Sequence, residues 1–463
     1  MPAIITNKFR IHNSEQFSES FSEASPNVYY MGLGRPQAFA TSTRGDSRTE
    51  NEGTDSAPLT PIDDIQTEFF TFDDLLAVKK IASSDTTFCI PRRDWVTGTH
   101  YDIYRHDYGN RVTGGTTTQA ANSGATNLYD ATFFVMNSSF QVYKCLDNDG
   151  DTASTVAPSG TSTSILSTGD DYKWKYMYTL TAAQRSNFLS TDFMPVATDS
   201  TVSAAATDGA VNICRIKTAG SGGANGTHTG VAIRGDGSSG VASVTVAGGA
   251  VTAVAVTTPG TGYTYGYIRN ADIVTAGATS LSGSEVDVII EPRGGHGYNA
   301  VEELGGFFVM LNVNFEGTES SGSAASATTL RGTKAVLLTG TPGSFVVDEE
   351  INQATTGAVG KVVEYDATNK ILYFIQTRFN DEGVDSNGNA TAFSGTNVIT
   401  GQGSSATGTP SSSSSTVNNV VIVSGYSVPE IDADSGDVIY IENRTKITRA
   451  ADQTENVKLI VEF

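Results

Sequence analysis

The stretch Tyr172–Leu180, which reads YKWKYMYTL, predicts a long β-strand with one aromatic face. Its aromatic residues alternate with lysine and methionine at Tyr172, Trp174, Tyr176 and Tyr178. Successive side chains of an extended chain point to opposite sides, so these four rings share one face. Such a face is typical of a sheet core or of a subunit interface.

Strand patterns recur on both sides of this stretch. Asp130–Met136 and Phe140–Leu146 carry aromatic and β-branched residues around a polar turn. Val244–Val256 alternates around a Gly-Gly pair, which is a hairpin signal. Phe307–Phe315 reads as one further strand. Short strands joined by tight turns therefore predict a mainly β fold.

Helices are predicted only in short pieces. Asn13 can cap a first helix, after an opening strand over Ala3–Phe9. A second helix is predicted over Thr71–Lys80, and a third over Thr181–Leu189, where Thr181 and Gln184 form a capping box.

The length of 463 residues predicts several domains. From about residue 211 small residues dominate, and aromatic and charged residues return at 295. We therefore expect a discontinuous core of residues 1–210, 295–330 and 413–463. Residues 211–294 and 331–412 are predicted as two inserted small β modules.

The second module contains an internal echo. Four residues recur after 48 positions, namely Phe345, Ile351, Ala358 and Gly360, as Phe393, Ile399, Ala406 and Gly408. Two copies of a strand–turn–strand unit explain the spacing, although chance similarity in a region rich in Gly, Ser and Thr is an open alternative.

The charge balance excludes some classes of partner. With 50 acidic and 29 basic side chains the formal net charge is −21, which disfavours nucleic acid and favours basic partner surfaces. No apolar run reaches the length of a membrane span, and the first residues do not resemble a secretory signal. The separated Cys89, Cys145 and Cys214 predict reduced, buried thiols.

Two groups of residues have side chains that could bind a metal ion. Asp147, Asp149 and Asp151 alternate around a glycine but lack the remaining EF-hand positions, so a solvated turn is the better interpretation. The second group is His100, Asp102, His106 and Asp107, for which packing is the better interpretation. No common catalytic motif occurs in the sequence. We therefore predict no catalytic residue, no metal, no cofactor and no enzymatic activity.

The segment Arg92–Trp95 is the densest charged and aromatic cluster. Arginine and tryptophan dominate interface hot spots, but an intramolecular Arg–Asp pair over a packed indole fits equally well. The candidate interface residues are Arg92, Arg93, Trp95, Trp174, Tyr176 and Arg444.

Several segments resemble one known family in the same order along the chain. They are Thr6–Arg10, Ile90–Trp95, Tyr143–Asp147, Gly169–Tyr176, Ser435–Arg444 and Asp452–Glu455. Together they resemble the baseplate wedge protein, of the gene product eight type, of T4-like contractile-tailed phages. The resemblance covers roughly residues 1–200, 295–316 and 420–463.

This resemblance implies a layered β-sandwich core with short flanking helices. It also implies a virion protein of the tail baseplate, assembled in the host cytoplasm as a homodimer within each wedge. Its partners would be other baseplate wedge proteins, with no nucleic acid and no membrane. The role would be structural, in wedge assembly around the tail hub and in baseplate rearrangement on contraction.

The two modules have no counterpart in the shorter relatives. Similar insertions are typical of tail proteins from phages of marine cyanobacteria, and we expect the modules to face outward or to bridge wedges. One alternative is a receptor-binding or fibre-like tail protein that recognises host surface polysaccharide. Another is a tail-associated depolymerase with a carboxylate pair.

Overall fold

The chain is described here by a computed structural model. The described residues are 5–23, 27–34, 41–43, 49–51, 53–54, 57–58, 75–108, 123–315, 329–347, 349–376, 383–430, 435–442 and 455–463. Strands make up 42% of the chain and helices 12%, so the predicted mainly β class is confirmed. The described part of the chain has five helices.

The chain divides into two compact units. Unit 1 consists of Met1–Ser18, Thr87–Met310 and Ile460–Phe463. Unit 2 consists of Glu19–Thr86 and Leu311–Leu459. The predicted division into a discontinuous core and two modules stays a prediction. Four elements run from one unit into the other, namely the helix Asn7–Ser20 and the strands Thr86–Pro91, Phe308–Phe315 and Glu455–Glu462.

The other strands of unit 1 are Phe134–Met136, Gln141–Asp147, Leu166–Ser167, Lys173–Thr179, Phe193–Pro195, Val211–Ser221, Gly226–Ala232, Arg234–Gly235, Val241–Ala247, Ala250–Thr258, Gly266–Ile268 and Ser282–Ile290. Its other helices are Ala182–Phe188, Ser200–Ala204, Asn270–Thr275 and Ala300–Leu304.

The predicted aromatic strand forms the middle of a four-stranded sheet, which we call the aromatic sheet. Its strands follow the order Leu166–Ser167, Lys173–Thr179, Gln141–Asp147 and Phe134–Met136. All four rings of the predicted face are buried. Tyr172 stacks on Trp174 with ring centroids 5.4 Å apart. Burial of these large rings is the main stabilising contribution of this sheet.

Residues 211–290 form two further sheets around an apolar core of their own. The hairpin of Val241–Ala247 and Ala250–Thr258 confirms the prediction from the alternating pattern. Gly248 and Gly249 have φ values of 62° and 83° in its turn. Glycine adopts this left-handed backbone without steric cost, so the pair allows a two-residue turn.

The other strands of unit 2 are Tyr29–Leu33, Thr41–Thr43, Thr49–Asn51, Gly53–Thr54, Ala57–Pro58, Ala77–Lys80, Thr329–Arg331, Lys334–Thr339, Glu350–Gln353, Ala358–Asp366, Ile371–Ile375, Ile399–Gly401, Thr407–Pro410, Ser415–Val417, Val420–Ile422, Tyr426–Ser427 and Asp437–Glu442.

Six of these strands close into a ring that we call the barrel. Their order is Lys334–Thr339, Ile371–Ile375, Ala358–Asp366, Glu350–Gln353, Ile399–Gly401 and Thr407–Pro410, and the last pairs with the first again. Its interior holds Val336, Leu372 and Phe374 together with the apolar residues of the predicted echo.

The echo corresponds to two equivalent hairpins of the barrel. Ile351 pairs with Gly360 in the first, and Ile399 pairs with Gly408 in the second. The two hairpins pair with each other through Asn352 and Thr400, which are separated by the same 48 residues. The equivalent pairings place a local pseudo-twofold axis between these strands of the barrel.

Three predictions of local structure are wrong, and one of them is the cap at Asn13, which lies inside the helix Asn7–Ser20. Residues 7–9 of the predicted strand Ala3–Phe9 belong to the helix Asn7–Ser20, and Ala77–Lys80 is a strand where the second helix was predicted. Leu33 and Ala77 pair across a sheet, so tertiary pairing overrides the helix pattern there. Residues 71–74 of that prediction lie outside the described residues. The third helix is confirmed, with Thr181 and Gln184 in a capping box.

Candidate functional site: a buried charge cluster and the predicted interface residues

The predicted interface cluster directly follows the strand Thr86–Pro91 of unit 1, and its arginines and tryptophan are half-buried. Arg92 pairs with Asp94 at 2.9 Å and donates a hydrogen bond to the carbonyl oxygen of Ser190. Arg93 lies over the ring of Phe134, 4.4 Å from its centroid. The Arg–Asp pair that the intramolecular interpretation expects is therefore present. The ring beneath Arg93, however, is that of Phe134 and not the expected indole.

Trp95 and the remaining candidates differ in accessibility. The indole nitrogen of half-buried Trp95 donates to Ser154 Oγ at 3.1 Å. Trp174 is fully buried and Tyr176 is 4% exposed, so both are core residues of the aromatic sheet. Arg444 lies outside the described residues. An interface role thus remains a prediction for Arg92, Arg93, Trp95 and Arg444, whereas Trp174 and Tyr176 expose almost no surface to a partner.

The densest polar constellation in unit 1 is a buried charge cluster around Lys144. This residue lies in the strand Gln141–Asp147 and has no exposed surface. Its ammonium group contacts a carboxylate oxygen of Glu291 and lies 2.5 Å from Glu303 Oε1. Glu291 directly follows the strand Ser282–Ile290, and Glu303 lies in the helix Ala300–Leu304. The cluster therefore ties three elements together by charge.

Two more groups complete the cluster. Lys175 Nζ lies 3.4 Å from Glu291 Oε1. The ring of His296 lies between Glu303 Oε1, at 3.2 Å, and the carbonyl oxygen of Tyr176, at 2.7 Å. Buried charges are tolerated only when they are paired and hydrogen-bonded.

The pairing sets the protonation states. Burial alone would raise the pKa of Glu303, but the charge of Lys144 together with the contact to His296 lowers it to about 2. The pKa of Glu291 is lowered for the same reason. Burial would lower the pKa of Lys144, yet the two glutamates raise it. All three groups are therefore charged near neutral pH.

The cluster also presents donors that could surround a cation. Glu291, His296 and Glu303 offer ligand atoms that lie within 4.8 Å of one another. The ammonium group of Lys144 already contacts both carboxylates and balances their charge. The arrangement therefore acts as an electrostatic clamp, and it presents no nucleophile with a general base beside it.

Residues of both groups that the sequence suggests as metal ligands make other contacts in the structure. Asp147 pairs with Lys173 at 3.0 Å, and His100 contacts the carbonyl oxygen of Asp151 at 2.9 Å. Asp102 accepts hydrogen bonds from Ser123 and Thr132. Among the described residues, neither candidate group brings three ligand atoms together as the cluster does.

Sequence reasoning did not find the cluster. One signal was present, because Lys144 interrupts a run of apolar residues from Val142 to Leu146. A lysine inside a buried strand needs a carboxylate partner. The partners follow 147 and 159 residues later, and nothing in their local sequence indicates the contact.

Comparison with protein families gives one match. The family model described as Bacteriophage T4, Gp8 matches residues 3–157. This range contains three of the six segments that resemble the baseplate wedge protein. No curated protein matches the chain.

Proposed function

We propose that this chain belongs to the phage Gp8 family of baseplate wedge proteins and takes part in wedge assembly around the tail hub. We propose further that it acts as a homodimer within each wedge, is assembled in the host cytoplasm, and shifts as a rigid body when the baseplate rearranges on contraction. The coarser role, a structural subunit of the tail baseplate in the virion, follows from the family.

The match to residues 3–157 is the observation that carries this proposal. The matched range contains the Arg92–Trp95 segment and the first strands of the aromatic sheet. Physical properties agree with the role. A low content of charged side chains, 17%, suits a protein that buries much of its surface on assembly.

The proposed role is architectural and non-enzymatic. The buried charges pair with one another, and the Lys144 clamp fixes strands within unit 1. We propose Arg92, Arg93, Trp95 and Arg444 as contacts to neighbouring wedge proteins. We also propose that residues 211–294 and 331–412 face outward or bridge neighbouring wedges.

Electron microscopy of intact virions tests the proposal. Gold-tagged antibody against this protein should label the distal plate of the tail in a sixfold ring. Co-expression with the other wedge proteins of the same phage should give a complex, with two copies of this chain per wedge by native mass spectrometry. Label along the fibres would contradict the wedge role and favour receptor binding, and a single copy per wedge would contradict the dimer.

A further inference from the structure

Unit 1 contains a cleft of about 510 Å³. One wall carries Tyr104, Tyr129 and Glu302, and the other, from residues 211–290 and their connections, carries Asp208 and Arg293. Clefts of this volume hold small ligands or single side chains of a partner. Since the second wall includes Gly262 and Tyr263, this cleft depends on the segment predicted as an inserted module.

Tyr104 is an unusual residue of this cleft. It is 3% exposed and lies against Phe133, and the ammonium group of Lys144 lies 4.2 Å from its ring centroid. Its hydroxyl group makes no hydrogen bond to any other residue in the described parts of the chain. The hydroxyl oxygen is not one of the fully buried unpaired atoms among the described residues, so it opens into the cleft, where a ligand can bond to it.

The charges around the cleft favour a cationic ligand. The Glu302 side chain has no hydrogen bond or ion pair within the described residues, and there the Asp208 carboxylate accepts only from the backbone nitrogen of Gly294. Arg293 is the one exposed cation of the lining, and His106 accepts a hydrogen bond from the backbone nitrogen of Ile290. The deeper Glu291 and Glu303 are matched by lysines. Carboxylate charge therefore exceeds basic charge in the open part of the cleft.

We propose that this cleft receives a lysine or arginine side chain from a neighbouring baseplate subunit. Glu302 and Asp208 pair with its cationic head, and the Tyr104 hydroxyl accepts a hydrogen bond from it. This inference rests on the proposed wedge role, because that role supplies the neighbour. The net charge of −21 makes basic partner surfaces the complementary ones.

A saccharide fits the cleft less well. Sugar sites offer exposed aromatic faces, but the Tyr104 ring lies against Lys144 and Phe133. Tyr263 directs its hydroxyl to the carbonyl oxygen of Ile233, inside the apolar core of residues 211–290. Of the three tyrosines that line the cleft, only half-buried Tyr129 is left to offer a ring face to a sugar.

Binding of a model side chain to the full-length protein tests the inference. N-acetyl-arginine amide is the probe, and N-acetyl-citrulline amide, its neutral isostere, is the matched control, both followed by saturation-transfer NMR. We expect the arginine probe to bind at least tenfold more tightly than citrulline. Glu302→Gln and Tyr104→Phe should weaken it severalfold. Glu285→Gln, which changes an exposed carboxylate paired with Lys217, should leave it unchanged.

Equal binding of arginine and citrulline, binding of methyl pyranosides instead, or unchanged binding in Glu302→Gln would overturn the inference. A second measurement separates it from the wedge role. Phage carrying Glu302→Lys should incorporate this protein into baseplates at least tenfold less than wild type, and Glu285→Lys should not. If the wild-type protein is in the baseplate and Glu302→Lys enters equally well, the inference is wrong and the wedge role stands. If the wild-type protein is absent from the baseplate, the proposed wedge role is itself wrong, and the inference that rests on it falls with it.

Discussion

The aromatic sheet and the barrel stabilise β-structure with different chemistry. The sheet packs Tyr172 and Trp174 against each other and places the fully buried Lys144 between two glutamates. The barrel interior consists of aliphatic and phenylalanine side chains, and its buried Glu349 accepts hydrogen bonds from backbone groups.

The difference shows two ways of keeping a charge inside a fold. In the aromatic sheet, the charge of Lys144 is balanced by Glu291 and Glu303, which come from distant segments. Removal of the lysine therefore leaves buried carboxylate charge without its central cation. In the barrel, the Glu349 carboxylate is held by uncharged donors, namely the backbone nitrogens of Val346, Gly403 and Ser404 and the Ser404 hydroxyl. Loss of that carboxylate frees backbone donors but no opposite charge.

The largest effect is expected for Lys144→Met. Glu291 and Glu303 would share the cluster without their central cation, which should cost about 3–5 kcal/mol of unfolding free energy. Both tryptophans lie in unit 1, so tryptophan fluorescence during urea unfolding reports on this unit.

Two variants control the Lys144→Met experiment. Lys173→Met, on the neighbouring strand and paired with the half-buried Asp147, should cost less than about 1 kcal/mol. Adding Glu291→Gln and Glu303→Gln to Lys144→Met should recover part of the loss. A loss below about 1 kcal/mol in Lys144→Met itself would show that the clamp is not stabilising.

Acid should weaken unit 1 through the same cluster. The folded pKa of Glu303 is about 2, below its ordinary value of 4.5. A depressed carboxyl pKa contributes stability above the unfolded pKa, and this contribution is lost as the pH falls from about 4.5 to about 2. Tryptophan fluorescence at several pH values measures the slope. The slope should be smaller in Lys144→Met, and an unchanged slope would contradict this origin.

A smaller loss is expected for Glu349→Gln in the barrel. Burial alone would raise the pKa of this carboxyl, but hydrogen bonds from Val346 N at 2.7 Å, Ser404 N at 2.7 Å and Gly403 N at 3.0 Å keep it low. The change should cost about 1–3 kcal/mol. Hydrogen exchange of the 399–410 segment, read by mass spectrometry, should quicken. The exposed Glu350→Gln is the matched control, and equal effects of the two changes would be evidence against the turn contact.

The smallest effect tests the pseudo-twofold axis. Ile351→Val and Ile399→Val remove the same methyl group from equivalent, fully buried positions. Each should cost about 0.5–1.5 kcal/mol, and the two costs should agree within about 0.5 kcal/mol. Hydrogen exchange in Glu350–Gln353 and Ile399–Gly401 measures both. A cost confined to one position would show that the two hairpins share a pattern but not an energetic role.

The two regions also differ in what their sequences reveal. The barrel hairpins were predictable because equivalent residues such as Ile351 and Ile399 keep a fixed spacing. The aromatic strand was predictable from its alternation. The charge cluster was not, because Lys144 finds Glu291 and Glu303 only through the tertiary fold. The cleft at Tyr104 depends on tertiary contacts in the same way.

Local patterns failed where pairing between distant segments decides the structure. Ala77–Lys80 carries the apolar spacing of a helix but joins a sheet with Tyr29–Leu33. The aromatic residues of Tyr172–Leu180 suggested an interface as readily as a core, and only their burial separates the two.

The ring of six strands has a consequence for assembly at high local concentration. A closed sheet offers no row of unpaired backbone groups, so crowded copies cannot join edge to edge through it. The closing contact is short, with Leu338 opposite Pro410 and Thr339 opposite Thr409. Opening this seam would expose two strand edges at once and permit exchange of strands between copies. The seam is therefore one of the short junctions on which protection against polymerisation depends, and a substitution there endangers the yield of particles more than the stability of one chain.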